Sequence, residues 1–406
     1  MAVISDRPSI IVLSRNYSTG LGLIRSLGAA GYTVDLLASA RRKNSSSIAS
    51  SSKYVRRSVE FLKPDIYDDR GEEIVEYLLK IAQDEEGRRV LFPADDYTTS
   101  VIDLNRERLS AHYLMPGTGD GTDGQLLKLM QKNIQGQYAL DAGLTRARET
   151  VVSLEDMKIP GDLPYPCFVK PLKSIDGEKQ EMAKCENEKE LNAVLKAMGE
   201  SFAHRSVLVQ EYLDIDKEYD VGGVCLGDRA IIPAVIEKTR IAEHERGVTM
   251  TGKMVEREVL GDVFPKLVSM LRSLDYYGMF DLEFISARGK LYFNEINLRS
   301  GGPHYSYFLN GVNLPDIFVR GICGIEPEPC DVTLKSYGKS FVYEKVAWED
   351  HINGFMTKAE LDDTIGKADF TLLAQADDPA PGKIFSKKIR LSMLKQRTLK
   401  LLKGKR

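Results

Sequence analysis

Four oxygen-bearing side chains stand close together in FDLEFISARGKLYFNEINLR: Asp281, Glu283, Glu295 and Asn297. Two apolar runs flank the turn Ala287-Arg288-Gly289, so the stretch reads as a β-hairpin. Period-two alternation sets Asp281, Glu283 and Ile285 on one face, and Glu295 and Asn297 on one face of the partner strand. Carboxylates on the inner faces of two apolar strands repel each other and are costly to bury without a cation. Mg²⁺, or Mn²⁺ in its place, meets that need: it takes a few carboxylate or amide oxygens and completes its octahedron with nucleotide phosphates. The plain alternative is a hairpin with an exposed acidic face. Here the acids alternate with Leu282, Phe284, Phe293 and Ile296, which favours metal.

Lys170 closes the apolar strand in YPCFVK, and Pro171 ends its ladder. A lysine at a buried strand end suits a point charge on phosphate oxygens; taken alone, a snorkelling strand-end lysine explains it as well. Lys132, early in a helix after a glycine-rich stretch, is by default a solvated helix lysine. Gln210-Glu211-Tyr212-Leu213 ends a strand in an extended linker whose backbone N–H and C=O can meet an adenine edge. Glu218, one short loop later, can accept both ribose hydroxyls. Without context this is merely a strand followed by an acidic loop.

The elements that must hold these residues follow from apolar periodicity. Ser9–Ser14 reads as a buried strand, Asn16–Gly22 as a glycine-containing turn, Leu23–Ala30 as a helix and Tyr32–Leu37 as a second strand. That order implies a parallel α/β unit. Asn44–Ser52 is a Ser-rich loop, Glu72–Gln83 a helix and Val90–Phe92 a strand. Leu126–Ala142 reads as one helix capped by Gly143. Strands then dominate: Cys167–Lys170, Glu181–Lys184, Val207–Gln210, Tyr219–Cys225, Arg229–Ile236, Phe280–Ile285 and Lys290–Glu295, with helices at Glu188–Met198 and Phe264–Leu274. The expected architecture is α/β and α+β in three sections: residues 1–120 as a Rossmann-like domain, 121–330 as the section carrying the chemistry, and 331–406 as a C-terminal extension. Gly117–Gly124, with four glycines, reads as the linker between the first two.

At 406 residues the chain exceeds what one core usually serves. A net charge of −3 gives no electrostatic reason to expect nucleic acid as a partner. The five cysteines (Cys167, Cys185, Cys225, Cys323, Cys330) form no CxxC pair, which argues against a structural zinc site and suits a reducing compartment. The N-terminus lacks the apolar core of a signal peptide, and no apolar run approaches the ~20 residues that cross a bilayer. A cytoplasmic protein is expected.

The ordered set Lys132, Phe168-Val169-Lys170-Pro171, Gln210-Glu211-Tyr212-Leu213, Glu218, Glu283 and Glu295-Ile296-Asn297-Leu298-Arg299 resembles the ATP-grasp superfamily, and the N-terminal unit resembles its pre-ATP-grasp domain. The resemblance implies a nucleotide held between two α+β subdomains, with a lid subdomain at about residues 150–210. It implies Lys132 and Lys170 on phosphates, the Glu211–Leu213 backbone on adenine, Glu218 on the ribose, and Glu283, Glu295 and Asn297 on Mg²⁺ with Asp281 in support. Arg299 would hold the acyl phosphate or a substrate carboxylate, a task suited to a bidentate donor; Lys238 and Arg240 would add positive charge at the transferring phosphoryl group. The implied chemistry is attack of a carboxylate on ATP, then displacement of the acyl phosphate by an amine, with ADP released. One departure is the segment after Lys170: Leu172–Gln180 (LKSIDGEKQ) holds one glycine where the superfamily has a Gly- and Ser-rich loop.

LFPADDYTTSVIDLNRERL, EINLRSGGPHY and the DDPAP segment resemble the D-aspartate ligase-like branch, which adds an amino acid to a peptide amine of a wall precursor. A dipeptide ligase of a natural-product pathway and a non-catalytic ATP-binding module are the alternatives. Tyr17, Gly20, Asp95, Asp96 and His304 join Arg299 as candidate substrate contacts, against the plainer reading of a turn and a capping pair. The last 24 residues, Lys383–Arg406, hold ten Lys/Arg and no acid, and Leu391, Leu394, Thr398, Leu401 and Leu402 share one helical face. Peripheral contact with anionic membrane and a helix docked on its own chain are weighted equally. The sequence allows a homo-oligomer without specifying one.

Overall fold

The computed structural model describes residues 7–15, 17–40, 48–62, 71–83, 87–172, 182–200, 206–245 and 247–403. Five strands open the chain: β1 (Ile10–Ser14), β2 (Val34–Ala40), β3 (Val55–Leu62), β4 (Arg89–Pro93) and β5 (Tyr113–Leu114). They form a parallel sheet in the order β3-β2-β1-β4-β5. All five residues of β1 are buried, as a strand covered on both faces requires. The helix Tyr17–Ala29 covers one face through Leu21, Ile24 and Leu27; helices Glu72–Ile81 and Asp96–Asp103 cover the other through Val75, Leu78 and Val101.

This first helix corrects one expectation. Tyr17 to Gly22 are helical, not a turn. The two glycines in YSTGLG serve close packing: a Cβ on Gly20 would lie 2.5 Å from Oγ of Ser14, and one on Gly22 would lie 3.0 Å from Cβ of Tyr305. Likewise Leu126–Ala142 is two helices, Gln125–Leu129 and Lys132–Asp141, broken at Gln131, whose ψ of 126° is extended.

A two-residue strand, β6 (Gly117–Thr118), follows the first sheet and pairs with β15 (Tyr276–Ala287) of the central one. The next four strands, β7 (Glu149–Ser153), β8 (Cys167–Pro171), β9 (Ala183–Cys185) and β10 (Ser206–Glu211), form a small antiparallel sheet in the order β7-β10-β8-β9. The helix Glu188–Glu200 packs Leu191, Leu195 and Met198 beneath it. Residues 173–181, most of the glycine-poor segment, lie outside the described residues.

The remaining strands are β11 (Lys217–Leu226), β12 (Arg229–Ile231), β13 (Val235–Ile241), β14 (Thr249–Val255), β15 (Tyr276–Ala287), β16 (Lys290–Asn297), β17 (Ser340–Val342) and β18 (Phe370–Thr371). With β6 they make a nine-stranded sheet whose main path is β16-β15-β11-β13-β14-β17-β18. One face is apolar. Tyr219, Val221, Leu282, Phe284, Phe293 and Ile296 bury there against helices Lys132–Asp141 and Val263–Ser273. The opposite face carries the charges.

The last section is continuous with the rest. It supplies β17 and β18 to the central sheet, and Phe385 and Ile389 of the helix Pro379–Lys403 join the core that contains Ile10 and Leu27. Arg25, on the first helix, is buried against Asp378 at 2.9 Å and also donates to the carbonyls of Leu373 and Asp378. The first turns of the terminal helix are therefore docked on their own chain, with Leu391 half exposed. The side chains of Leu394, Thr398, Leu401 and Leu402 lie outside the described residues. Among the described residues no helix is long and apolar enough to cross a membrane.

Candidate active site

The β15–β16 hairpin sets Glu283 directly opposite Glu295 and Asp281 directly opposite Asn297. Strict alternation along β16 would have put Phe293 on the same face as Glu295. A bulge resolves the conflict: Phe284 pairs with Phe293, leaving Asn294 as an extra residue. Phe293 then turns into the core, where its ring meets Phe284 edge-on, while Glu295 keeps the polar face.

Two neighbouring strands complete this face. Asp220 on β11 stands beside Glu283, and Glu218 on β11 stands beside Lys238 on β13. Like charges this close need counterions, and three buried lysines supply them. Lys238 lies 3.1 Å from Glu218, 3.0 Å from Asp220 and 3.5 Å from Glu283. Burial alone would lower the Lys238 pKa, but the three carboxylates outweigh it and hold the ammonium protonated. Lys132, the first residue of its helix, is ion-paired with Glu295. Lys170 reaches from β8 to Oδ1 of Asn294 at 3.1 Å; burial, then the nearby Lys132, pushes its pKa down to about 8. Asp220 is pushed up, chiefly by burial and against the pull of Lys238. Thr249 of β14 donates to it at 3.2 Å.

Arg299 lies past the end of β16 and bridges two parts of the chain. Its Nε donates to Asp96 at 2.7 Å, and Nη1 lies 3.9 Å from Asp281. Asp281 is held low: burial would raise it, but His304, then Arg299 and Lys238, outweigh that. Nδ1 of His304 accepts from the Gly301 N–H at 3.0 Å, so Nε2 carries the hydrogen shared with Asp281 at 3.1 Å. Room for that ring comes from Gly222, where a Cβ would fall 2.6 Å from Nε2.

Part of this cluster borders a cavity of about 310 Å³, lined among others by Asp96, Lys132, Asp281, Glu283, Glu295 and Arg299. Ser18 and Thr19 close it from the first helix, and Glu245, Val248 and Tyr343 from the far side. A second hollow of about 750 Å³, beside the terminal helix, has Lys383, Lys387 and Arg390 as its charged lining among the described residues.

The expected residues divide as follows. Glu283, Glu295, Asn297, Lys132, Lys170, Lys238 and Arg299 converge. Asp95 and Asp96 both line the cavity; Asp96 there accepts from Arg299, and Asp95 also caps its helix by accepting from Thr98 N–H and accepts from the Arg15 N–H at 2.6 Å. His304 is buried behind Asp281 and does not line the cavity. Tyr17 begins the first helix, its side chain outside the described residues, and Gly20 packs on Ser14. Arg240 stands apart: a bulge separates it from Lys238, and its charge acts on Glu360 of the helix Lys358–Lys367.

Gln210 and Glu211 end β10 of the small sheet, Tyr212 and Leu213 follow it, and Glu218 stands near the start of β11. Gln210 donates to Glu149, which also holds Arg146; Glu211 accepts from Arg288, and the Tyr212 ring lies under Lys184. The amides of Glu211 and Tyr212 donate to the carbonyls of Arg148 and Pro166. The Leu213 amide has no such partner among the described residues, while its side chain packs with Ala147, Ala287 and Tyr292. Asp220 and Asn294 belong to the cluster and were not singled out from the sequence. For Asn294 the signal was present: Phe293 and Glu295 cannot share a face, which demands a bulge between them.

Among the described residues no three His, Cys, Asp or Glu side chains group to hold a metal by themselves. Two carboxylates and an amide (Glu283, Glu295, Asn297) fit instead a nucleotide-borne Mg²⁺, which leaves the rest of its octahedron to phosphate and water.

No protein-family model matches the chain. It is 25% identical over 232 residues to the carbamoyl phosphate synthase large chain of Clostridium perfringens, covering 56% of this chain and 19% of that protein. It is 27% identical over 217 residues to the D-alanine–D-alanine ligase of Geobacillus kaustophilus, covering 48% of this chain and 56% of that one. The chain thus spans about a fifth and about half of these relatives. The biotin carboxylase domain of Hydrogenobacter thermophilus 2-oxoglutarate carboxylase, solved with MgADP and bicarbonate, superposes with a TM-score of 0.64 at 16% identity, over 82% of this chain and 73% of that one. An L-amino acid ligase from Bacillus licheniformis gives 0.58 at 14%, over 78% and 74%. By these likenesses the chain has the fold of the ATP-grasp enzymes.

Proposed function

We propose that this protein is an ATP-dependent carboxylate–amine ligase. One observation carries the reading: Glu283 faces Glu295 across a hairpin, Lys132 and Lys238 from two other elements pair with them, and Lys170 from a third bonds the adjoining Asn294. A plain acidic surface would not assemble lysines this costly to bury. In this reading Lys132 and Lys170 hold phosphate oxygens, Lys238 balances the acids, the Glu211–Leu213 backbone meets adenine, and Glu218 meets the ribose. Glu283, Glu295 and Asn297 hold Mg²⁺, which when bound offsets phosphoryl charge.

Arg299 and Asp96 line the same cavity, and the reacting carboxylate and amine are assigned to their side of it. Arg299, whose charge Asp96 holds against burial, orients the carboxylate as it attacks the γ-phosphorus of ATP; ADP leaves, and the amine then displaces phosphate from the acyl phosphate. The domain reading goes with this: residues 1–120 shape the substrate end, and 121–330 with its lid at about 150–210 shape the nucleotide end. Within that class we favour an amino acid as donor and a peptide amine as acceptor, as in the D-aspartate ligase-like branch. A dipeptide ligase is the second reading, supported by the likeness to an L-amino acid ligase. A cytoplasmic setting, membrane contact through the terminal helix, and self-association are parts of the same proposal.

The test is ADP release across a panel of amino acids and wall-precursor peptides, with the product identified by mass. Glu295→Gln should lower turnover at least about 100-fold, the order seen when one transition-state charge stabiliser is removed. Silence of the wild type across the panel, with ADP still bound, would favour the non-catalytic module.

A further inference from the structure

The bulge in β16 does more than turn Phe293 inward. Asn294, its extra residue, bonds in two opposite senses: Nδ2 donates to Oε2 of Glu283 at 3.2 Å, and Oδ1 accepts from Nζ of Lys170 at 3.1 Å. Lys170 comes from β8 in the small sheet, whereas Glu283 sits on β15 in the central sheet. A primary amide suits this place because it serves a carboxylate and an ammonium at once. Aspartate would accept from the lysine but repel the glutamate, and leucine would do neither. We propose that Asn294 is a positioning residue that ties the lysine of the small sheet to the acidic face of the central sheet, so that one amide sets both sides of the nucleotide site. The inference rests on the nucleotide reading above and adds a residue to it.

The surroundings of Lys170 make the tie measurable. Its ammonium is enclosed, with Lys132 and Arg146 opposing its charge and Glu295 and Glu149 favouring it. The charged form is the one that holds phosphate, so metal-free nucleotide affinity should fall as pH rises through the Lys170 pKa. Asn294→Leu removes the hydrogen-bond acceptor and lets the proton leave at lower pH. Asn294→Asp adds a carboxylate beside the ammonium and keeps the proton to higher pH.

The experiment is calorimetric binding of ADP in metal-free buffer, with full-length wild type, Asn294→Leu and Asn294→Asp, from neutral to alkaline pH. The expected midpoints run Leu below wild type below Asp, with about one pH unit between neighbours. A merely structural role for Asn294 would weaken binding without separating the midpoints in opposite directions. Should the leucine variant melt early, Asn294→Ser, which cannot span both partners, takes its place. Coincident midpoints, or both variants shifting the same way, overturn the proposal while leaving the nucleotide reading intact. A wild type that binds no ADP overturns both.

Discussion

Replacing Lys238 by methionine deletes one charge and keeps most of an apolar stem, so it isolates the electrostatics of the cluster. The ammonium contacts Glu218, Asp220 and Glu283 within 3.5 Å. Removing one partner of a buried ion pair costs about 3–5 kcal/mol, because the other stays charged without compensation. Three partners do not triple that figure. The Glu218 and Glu283 side chains keep 14% and 21% of their exposure, so water takes up part of their charge; Asp220 keeps 4%. The cost should come mainly from Asp220, at the lower end, or about 3 kcal/mol at neutral pH.

Its pH dependence has a definite sign. Burial already pushes the Asp220 pKa up, and Lys238 is the main group pulling it down; without the lysine it rises further. An acid whose folded pKa exceeds its unfolded one binds its proton more tightly when folded, so stability falls as pH rises above the unfolded value of about 4. The deficit of Lys238→Met should therefore be small in mild acid and grow toward alkaline pH. Adding Asp220→Asn removes the orphaned charge and should recover most of the loss. Urea unfolding of wild type, both single variants and the double variant at two pH values reads this as a coupling energy. A loss below about 1 kcal/mol, a deficit that shrinks with pH, or a double variant no better than Lys238→Met would refute the account.

Two further predictions concern how distant segments hold the cavity. Asp350, fully buried, accepts from the backbone N–H of Glu243 and of His244, each at 3.0 Å, and from the His244 ring, so it fixes the approach to the cavity-lining residues Glu245, Gly247, Val248 and Thr249. Burial would raise its carboxyl, but those donors outweigh burial and hold it low, so its contribution is present above the unfolded pKa of about 4 and is lost as pH falls through the folded one. Asp350→Asn should cost about 1–3 kcal/mol and speed amide exchange across 243–249 while the parallel sheet stays protected. Arg25→Met should lower stability by about 3–5 kcal/mol and open residues 372–378 to limited proteolysis, since the buried Asp378 loses its cation; unchanged denaturation midpoints would contradict this.

What was legible in the chain was whatever local spacing controls. Ile10–Ser14 declares itself because every residue but the last is aliphatic, and the acidic hairpin does so because its acids interrupt an apolar pattern. Tyr17–Gly22 misled because its serine, threonine and glycines are turn formers in isolation; the helix forms because those small residues let it lie against Ser14 and Tyr305. Strand β14 was missed for a related reason. Its sequence TMTGKMV has a central glycine that suggests a break, yet a Cβ there would meet the Phe341 ring at 2.8 Å, so the glycine admits β17's aromatic side chain instead of ending the strand.

The counterions were less legible than the acids, and the reason is register. Each acid announces its face by alternation along its own strand, but which lysine meets it depends on how several strands pair. Lys238 reaches Asp220 only because β11 and β13 align Glu218 with Lys238. Lys170 reaches Asn294 only because β16 bulges at that residue. A one-residue slip on either strand would turn the side chain to the other face. The sequence thus supports a metal-type acidic face from local pattern alone, while the balance that makes the face affordable to bury is a property of pairing across the sheets. Lys238 should consequently tolerate conservative exchange less than the acids' own spacing suggests: arginine carries the same charge, but its planar fork cannot replace a compact ammonium set between three carboxylates.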